Sequence, residues 1–388
     1  MQWVQTSMTK WLCCQTEVAL TLHPSHCRPT DELSRRPWNL LFSLLLLVSC
    51  YITLLCPVYL QQPKEFWASY NVPEKHIKLL HNYSVTALSG SCKPQYIKER
   101  VTALYPGKLQ TNASIFIQKD AVCIPGMWQY KAPFGMKGLK EHLQMTLKLL
   151  PETELPASLQ RLPCKRCIVM GSGGQLRGSR LGKFIDMHDV VFRLNSAPVH
   201  GYEEDVGQKT TIRLTYPEGA PWSQQEYDPK SLFTVVIYKT TDFTWIRSLI
   251  ERKPISWWDK LWFWQEVPEF STLKAHNYRI LNPDIIRKTL VDFLGHPEPQ
   301  NKLFNVNQIV PTVGVSAVVM ALHICDEVNL AGFGYDMSHP DMPLHYYGTC
   351  RMGFMNSQTV HNIDREKLFL MKLVTSGAIK DLTGGLHW

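Results

Sequence analysis

No Asp-x-Asp pair occurs in the chain; the nearest acidic grouping is Glu203-Glu204-Asp205. Hard divalent cations need clustered oxygen ligands, so the sequence leads us to expect no bound metal and no cofactor. A second Cys-x-x-Cys to accompany Cys164-Lys165-Arg166-Cys167 is also missing, which removes the four-cysteine zinc site. Internal repeats and low-complexity tracts are absent. So are basic runs interleaved with aromatics, although the formal net charge is +8. A nucleic-acid partner is therefore not expected. The surplus positive charge suits an anionic substrate or a membrane surface, and equally well an ordinary lysine-rich exterior.

One stretch lacks charge altogether. Residues 38–60, WNLLFSLLLLVSCYITLLCPVYL, hold no Asp, Glu, Lys or Arg. A run of ~20 apolar residues is long enough to cross a bilayer. A cleaved signal peptide would sit nearer the start with a shorter apolar part; a buried core helix is the competing reading, given less weight because no polar face interrupts the run. We expect one transmembrane helix. Arg35 and Arg36 stand just before it, and positive charge stays cytoplasmic. Residues 1–37 are then a cytoplasmic tail, and the bulk of the chain is lumenal, in single-pass type II topology. Cys13 and Cys14 in that tail could be palmitoylated, or remain plain thiols. Residues 61–90, with Pro63, Pro73 and no sustained period, read as a stem, leaving 91–388 as the folded lumenal domain. Two glycosylation sequons, at Asn82 and Asn112, follow the span.

The richest stretch runs from Cys164 to Asn195, CKRCIVMGSGGQLRGSRLGKFIDMHDVVFRLN. An apolar run, Ile168 to Met170, enters the cluster Gly171-Ser172-Gly173-Gly174. An amphipathic segment follows, with Leu181, Phe184 and Ile185 on one face, and then the apolar run Val190 to Leu194. Strand, tight turn, helix and strand in succession is the unit of a parallel sheet. Glycines at such a turn let backbone N–H groups approach a phosphate. The dinucleotide fingerprint is incomplete. Its third glycine is missing, and the second strand ends in Asn195 where a ribose-binding acid would stand. A nucleotide user other than an NAD enzyme is indicated. Further strands are expected at Thr211–Tyr216, Leu232–Tyr238, Arg279–Leu281 and Val328–Ala331, and helices at Val315–Cys325 and Arg365–Ser376. This alternation argues an α/β fold with a doubly wound, mostly parallel sheet.

The segment from Cys164 through VVFRLNSAPVHGYEEDVGQKTT resembles the large sialyl motif of the animal sialyltransferases. PTVGVSAVVMALHICDEVNLAGFGYD (311–336) resembles the small motif, His345-Tyr346-Tyr347-Gly348 the third, and His361 with Glu366 the very small motif, H-x4-E. The resemblance implies a single Rossmann-like sheet in a GT-A-like variant, CMP-sialic acid as donor, and a Golgi membrane location. It implies His361 as the base that takes a proton from the acceptor hydroxyl, and His345 as the group that stabilises the departing phosphate. Histidine suits proton transfer because its ordinary pKa is ~6.5. Ser172, Gly173, Asn195, Thr312, Gly314, Gly332, Gly334 and His345 match donor-binding positions. Ser172 stands where an Asn is common. Simple turn geometry would also account for the glycines. Six cysteines follow the span. The resemblance pairs Cys167 with Cys325 and Cys92 with Cys164, leaving Cys123 and Cys350 to pair or stay free.

Within that family, TYPEGAP, DFTWI, RILNP and AGFGYDM resemble the β-galactoside α2,3 branch. The spacing from Pro217 to Pro221 and the tryptophan-rich stretch FWQEV (263–267), within PISWWDKLWFWQEVPEF (254–270), resemble its lactosylceramide-using members. Trp257, Trp258, Trp262 and Trp264 are too many to bury on one face, so an acceptor-side or membrane-facing loop is expected. The resemblance implies sialic acid transfer with inversion to the 3-OH of a terminal β-galactose on lactosylceramide or a related glycolipid, in ganglioside synthesis. HYYG and HNIDREK resemble glycoprotein-directed members equally, so Galβ1-3/4GlcNAc on glycoproteins is the alternative acceptor. A non-catalytic sugar-binding membrane protein is a more distant reading, disfavoured by the presence of both His345 and His361.

Overall fold

The structure is a computed structural model and describes residues 43–49, 72–109, 114–120, 125–300, 308–357 and 359–386. The chain divides into two compact units, residues 1–71 and 72–388. In the first, residues 43–49 are helical with exposed side chains. Among the described residues no helix is long and apolar enough to cross a membrane. The rest of the expected span 38–60, the tail cysteines Cys13 and Cys14, Asn112 and Cys123 lie outside the described residues.

The second unit is built on a seven-stranded sheet. Its strands are β1 (Arg166–Met170), β2 (Val190–Leu194), β3 (Ile212–Thr215), β4 (Leu232–Val235), β5 (Tyr278–Ile280), β6 (Glu327–Ala331) and β7 (Lys380–Asp381). Their spatial order is β5-β4-β3-β2-β1-β6-β7, and every pairing is parallel. Parallel strands are covered on both faces and read as near-continuous apolar runs, which is why IVM, VVFRL and LFTV were visible in sequence. The short β7 carries Lys380-Asp381 and has no such signature.

Helices cover both faces. The longer ones are α1 (Glu74–Leu88), α2 (Tyr96–Leu104), α3 (Lys140–Leu149), α4 (Thr240–Glu251), α5 (Val313–Ile324) and α6 (Ile363–Thr375). Helix α5, VGVSAVVMALHI, is apolar almost all round and almost wholly buried, as a helix inside a core must be. It packs with α2 and α6 against Cys167, Val169, Phe192 and Leu214. Each fully buried Val, Leu or Ile there stabilises by roughly 1.5–3 kcal/mol. The opposite face takes α1, through Leu80, Ala87 and Leu88, against Ile168, Met170 and Val191. Helices α3 and α4 pack beside Phe233, Val235 and Ile280 on that face.

Two sequence readings change. Residues 74–88, read as part of a stem over 61–90, form α1, and the folded unit begins at Val72. The helical period was masked because only Ile77, Leu80, Ala87 and Leu88 among its apolar residues are buried, while Leu79 and Val85 stay exposed. The sequon residue Asn82 lies exposed on that helix. The second change concerns the segment after the glycine turn. A 3₁₀ turn, Gly174–Leu176, comes first, and the expected helix, with Phe184 and Ile185 buried, is confined to Gly182–Asp186. Gly178 and Arg180 adopt φ of +75° and +54°, left-handed backbone that a right-handed helix interior does not hold.

Disulfides join Cys92 to Cys164 and Cys167 to Cys325, the pairs that the family resemblance implied. Cys350 is also disulfide-bonded. The Cys167–Cys325 bridge ties the start of β1 to the end of α5 across 158 residues of sequence. Closing a loop of that length constrains the unfolded chain strongly. Replacing both cysteines by Ala should lower the free energy of unfolding by about 2–5 kcal/mol. Urea titration under non-reducing conditions measures it, and an unchanged midpoint would mean that the bridge contributes no net stability.

Candidate active site

Strand β1 lies between β2 and β6, so the strand order reverses there. Open parallel sheets bind ligands at the carboxyl ends of the strands at such a reversal. Those ends carry residues 171–174, Asn195 and residues 332–334. The glycine turn itself is not an open cradle. Its N–H groups at Gly171, Gly173 and Gly174 donate to the carbonyls of Ala331, Gly332 and Leu344 at 2.8, 2.9 and 3.2 Å. Gly332 and Gly334 have φ of +74° and +102°, where side chains are strained. A Cβ at Gly334 would strike the Gly385 carbonyl, and one at Gly332 the Leu176 side chain. The protein itself uses the space these glycines leave.

The turn is stitched to the segment that carries His345. His345 bridges Gly173 in antiparallel fashion, and the Tyr346 N–H donates to the Ser172 carbonyl at 2.9 Å. The His345 ring stacks on Tyr347, with centroids 5.2 Å apart and planes 19° apart. The Tyr347 hydroxyl engages the side chains of Ser172 and Ser196. Burial pushes the His345 pKa down to about 4. Its ring is therefore neutral near pH 7, with one N–H to donate.

Asn195 is held in left-handed backbone, φ +47°, by a residue the sequence reading passed over. Arg213 of β3, buried to 1% exposure, donates to the carbonyls of Asn195 and Ala197 at 2.7 and 3.0 Å. Its other nitrogen meets Glu226 at 2.6 Å. Glu226 in turn accepts from the N–H groups of Val199 and His200. The Asn195 Oδ1 is buried without a hydrogen-bond partner. An unpaired buried oxygen costs about 1–3 kcal/mol, which makes this atom a candidate acceptor for a ligand's hydrogen bond. The sequence signal was an Arg in the middle of an otherwise apolar strand, TIRLTY.

The amino end of α5 faces the same crevice. A Cβ at Gly314 would lie 3.2 Å from the Phe333 ring and 3.5 Å from Leu194, which sets it over the ends of β2 and β6. Thr312 caps α5, its hydroxyl accepting from Val315 N–H at 3.2 Å. The N–H groups of Val313 and Gly314 have no partner among the described residues, as first-turn amides lack one within the helix. Thr312 is itself gripped by α6. Its N–H and hydroxyl donate to the two oxygens of Glu366 at 2.7 and 2.6 Å. Burial pushes Glu366 up to about 7, against the pull of those hydrogen bonds. His361, at the entrance to α6, meets the Val310 carbonyl through Nδ1 at 2.7 Å. A carbonyl only accepts, so Nδ1 carries the proton and Nε2 the lone pair. Burial lowers the His361 pKa, with the Val310 bond opposing.

A second polar group adjoins these residues. The rings of Tyr216 and Tyr238 meet edge to face at 5.4 Å. Tyr335 lies in the field of both Glu366 and Tyr347, which links the α5–α6 end to the His345 segment. Lys239 Nζ sits 2.6 Å from Glu218 and 3.0 Å from Asp242. Burial raises Asp242 to about 6. Lys239 also rests over the Phe263 ring at 4.8 Å, and Gln265 donates to the Glu218 carbonyl. Sequence reading missed this group, because its members come from separate loops and share no spacing. Among the described residues no three His, Cys, Asp or Glu side chains converge as a metal site would require.

Comparison with known proteins identifies the family. The profile of glycosyltransferase family 29 (sialyltransferase) matches residues 116–378. The human lactosylceramide alpha-2,3-sialyltransferase is 44% identical over 315 residues, covering 81% of this chain and 75% of that protein. The human CMP-N-acetylneuraminate-beta-1,4-galactoside alpha-2,3-sialyltransferase is 41% identical over 297 residues, covering 76% and 78%. The crystal structure of a mammalian sialyltransferase in complex with Gal-beta-1-3GalNAc-ortho-nitrophenol superposes with a TM-score of 0.57 at 25% identity, covering 75% of this chain and 98% of that one. The chain belongs to glycosyltransferase family 29, the sialyltransferases.

Proposed function

We propose that the chain transfers sialic acid from CMP-sialic acid to the 3-OH of a terminal β-galactose, with inversion, on lactosylceramide or a related glycolipid. The observation that carries the mechanism is the hydrogen bond from His361 Nδ1 to the Val310 carbonyl, 2.7 Å long. It leaves Nε2 as the acceptor for the proton of the attacking hydroxyl. A general base works best when deprotonated at the operating pH, and burial keeps His361 so. The sugar departs through an oxocarbenium-like state, and attack from the face opposite the phosphate inverts it.

On the donor side, the CMP phosphate receives the His345 N–H and the free amides at the start of α5. The positive end of that helix dipole faces the developing charge. A phosphate leaving group needs this charge stabilisation more than strong acid catalysis. Asn195 Oδ1, orphaned and buried, takes a hydrogen bond from the nucleotide. Ser172 is oriented by Tyr347 toward the same ligand. The Tyr216, Glu218, Lys239 and Asp242 group forms the acceptor wall. No metal enters the reaction. The charge-free run 38–60 anchors the enzyme in the Golgi membrane, with residues 1–37 cytoplasmic and the folded unit lumenal; glycans on Asn82 and Asn112 belong to that side. The lactosylceramide-using relatives support the glycolipid acceptor, and the 41% identity to a beta-1,4-galactoside enzyme supports the glycoprotein alternative.

The acceptor is tested by offering CMP-sialic acid with lactosylceramide and with a lactosamine-terminated glycopeptide, chelator present. Product on the lipid is expected. Product mainly on the peptide moves the enzyme to the alternative acceptor, and loss of rate with chelator refutes the metal-free mechanism. Donor binding without transfer or donor hydrolysis would make the chain a binding protein.

For His361→Ala, kcat should fall by about 10²–10⁴ while CMP affinity changes less than about twofold. In the unaltered enzyme, kcat/KM should drop only as pH falls below the ordinary ~6.5 of histidine, because burial lowers this one. An unchanged kcat would exclude His361 as the base.

Glu366 gives a stability test. Its carboxyl is raised in the folded state from 4.5 to about 7. The folded chain thus holds that proton more tightly than the unfolded chain. The associated stability is present below the unfolded value and is lost as pH rises through about 7. Glu366→Gln should therefore flatten the decline in urea midpoint between about pH 4.5 and 7. Equal slopes in both proteins would refute a protonated Glu366.

A further inference from the structure

The segment 254–270 is rooted in the core and apolar at its tip. Ile255, Phe263 and Val267 are buried with Trp245 and Phe233, and the Trp245 indole N–H donates to the Pro268 carbonyl at 2.7 Å. Between those roots, the turn Trp257–Lys260 projects outward, capped by Ser256, whose hydroxyl accepts from Asp259 N–H. Trp257, Trp258, Leu261 and Trp262 are 62%, 62%, 66% and 72% exposed. Trp257 and Trp258 stack on each other with centroids 3.9 Å apart, which covers one ring face of each. Water solvates such a cluster poorly, and contiguous exposed apolar groups on a rigid base mark an interaction surface.

Charge narrows the occupant. The tip carries only Asp259 and Lys260 between Trp257 and Trp262. Asp259 accepts from the Ser256 hydroxyl at 2.8 Å, and Lys260 pairs with Glu269. The patch thus presents indole and leucine with no net charge, the chemistry of the headgroup–acyl boundary of a bilayer. It is also continuous with the candidate acceptor wall. Phe263, next after Trp262, lies under Lys239 at 4.8 Å, and Gln265 donates to the Glu218 carbonyl.

Resting on the glycolipid reading, we propose that Trp257, Trp258, Leu261 and Trp262 insert into the bilayer surface that holds the acceptor lipid, and so bring the acceptor wall to the lipid's sugar headgroup. Insertion is driven by apolar burial, so it needs no anionic lipid and withstands salt.

The test uses the full chain in phosphatidylcholine vesicles containing lactosylceramide, with a soluble lactoside offered to the same preparation. One variant carries Trp257→Ser, Trp258→Ser and Trp262→Ser; the other carries Leu at the same positions. The Ser variant should lose about tenfold in kcat/KM on lactosylceramide, equivalent to ~1.4 kcal/mol, and stay within about twofold on the lactoside. The Leu variant should keep lipid transfer, because insertion needs apolar surface while sugar stacking needs aromatic rings. Brominated lipids should quench the unaltered chain more than the Leu variant, at low and at high salt. Equal loss on both acceptors, failure of the Leu variant, or no difference in quenching overturns the bilayer contact. If bromolipid quenching persists but only the soluble lactoside is sialylated, the bilayer contact stands and the glycolipid reading fails.

Discussion

The parallel pairing of β1 with β2 on one side and β6 on the other is the constraint on which the site depends. All three strands run the same way, but the strand order proceeds to opposite sides of β1, and the loops that follow the strands part there to form a crevice. Every candidate donor residue lies at that crevice or at the helix end aimed into it. The Cys167–Cys325 disulfide locks the other end of the same strands. Helix α5, buried against β1 and β2, transmits that fixed position to its amino end some twelve residues away. The site is thus held by the most deeply buried part of the sheet, while the loops above it supply chemistry.

Buried charge does the fine positioning. Arg193, Arg213 and Arg279 are strand residues with almost no exposure. A guanidinium without partners in such surroundings would be prohibitive. Arg193 is met by the Val206, Gly207 and Lys209 carbonyls, and Arg213 by two carbonyls and Glu226. Each therefore pins the loop that leaves its own or the adjacent strand. Removing one partner of a buried ion pair costs about 3–5 kcal/mol, so the Arg213–Glu226 pair holds the loops it binds firmly. Through it the Asn195 carbonyl is anchored to β3.

The strands β1 to β6, helices α5 and α6, and the exposure of the tryptophan segment were legible in sequence, because apolar runs and periods are local. The parts that depend on distant contacts were not. Helix α1 hides its period under exposed Leu79 and Val85. The glycine turn looked like a phosphate cradle, but its amides are taken by Ala331, Gly332 and Leu344, residues far along the chain. The Lys239, Glu218 and Asp242 group, and Arg213 beneath Asn195, have no linear pattern. His345, His361 and the two disulfides came only from motif resemblance, which carries contact information that periodicity lacks.

The protonated state of Glu366 joins the two halves of the proposed reaction. Its carboxyl sits on Thr312, the cap of α5. An ionised carboxylate there would complement the positive end of the helix and compete with the donor's phosphate for the same field. Burial raises its pKa to about 7, so near neutral pH much of its population is uncharged. The grip on Thr312 is then retained while the helix end stays electropositive for the anion. A negative donor would raise that pKa further, since like charges oppose ionisation.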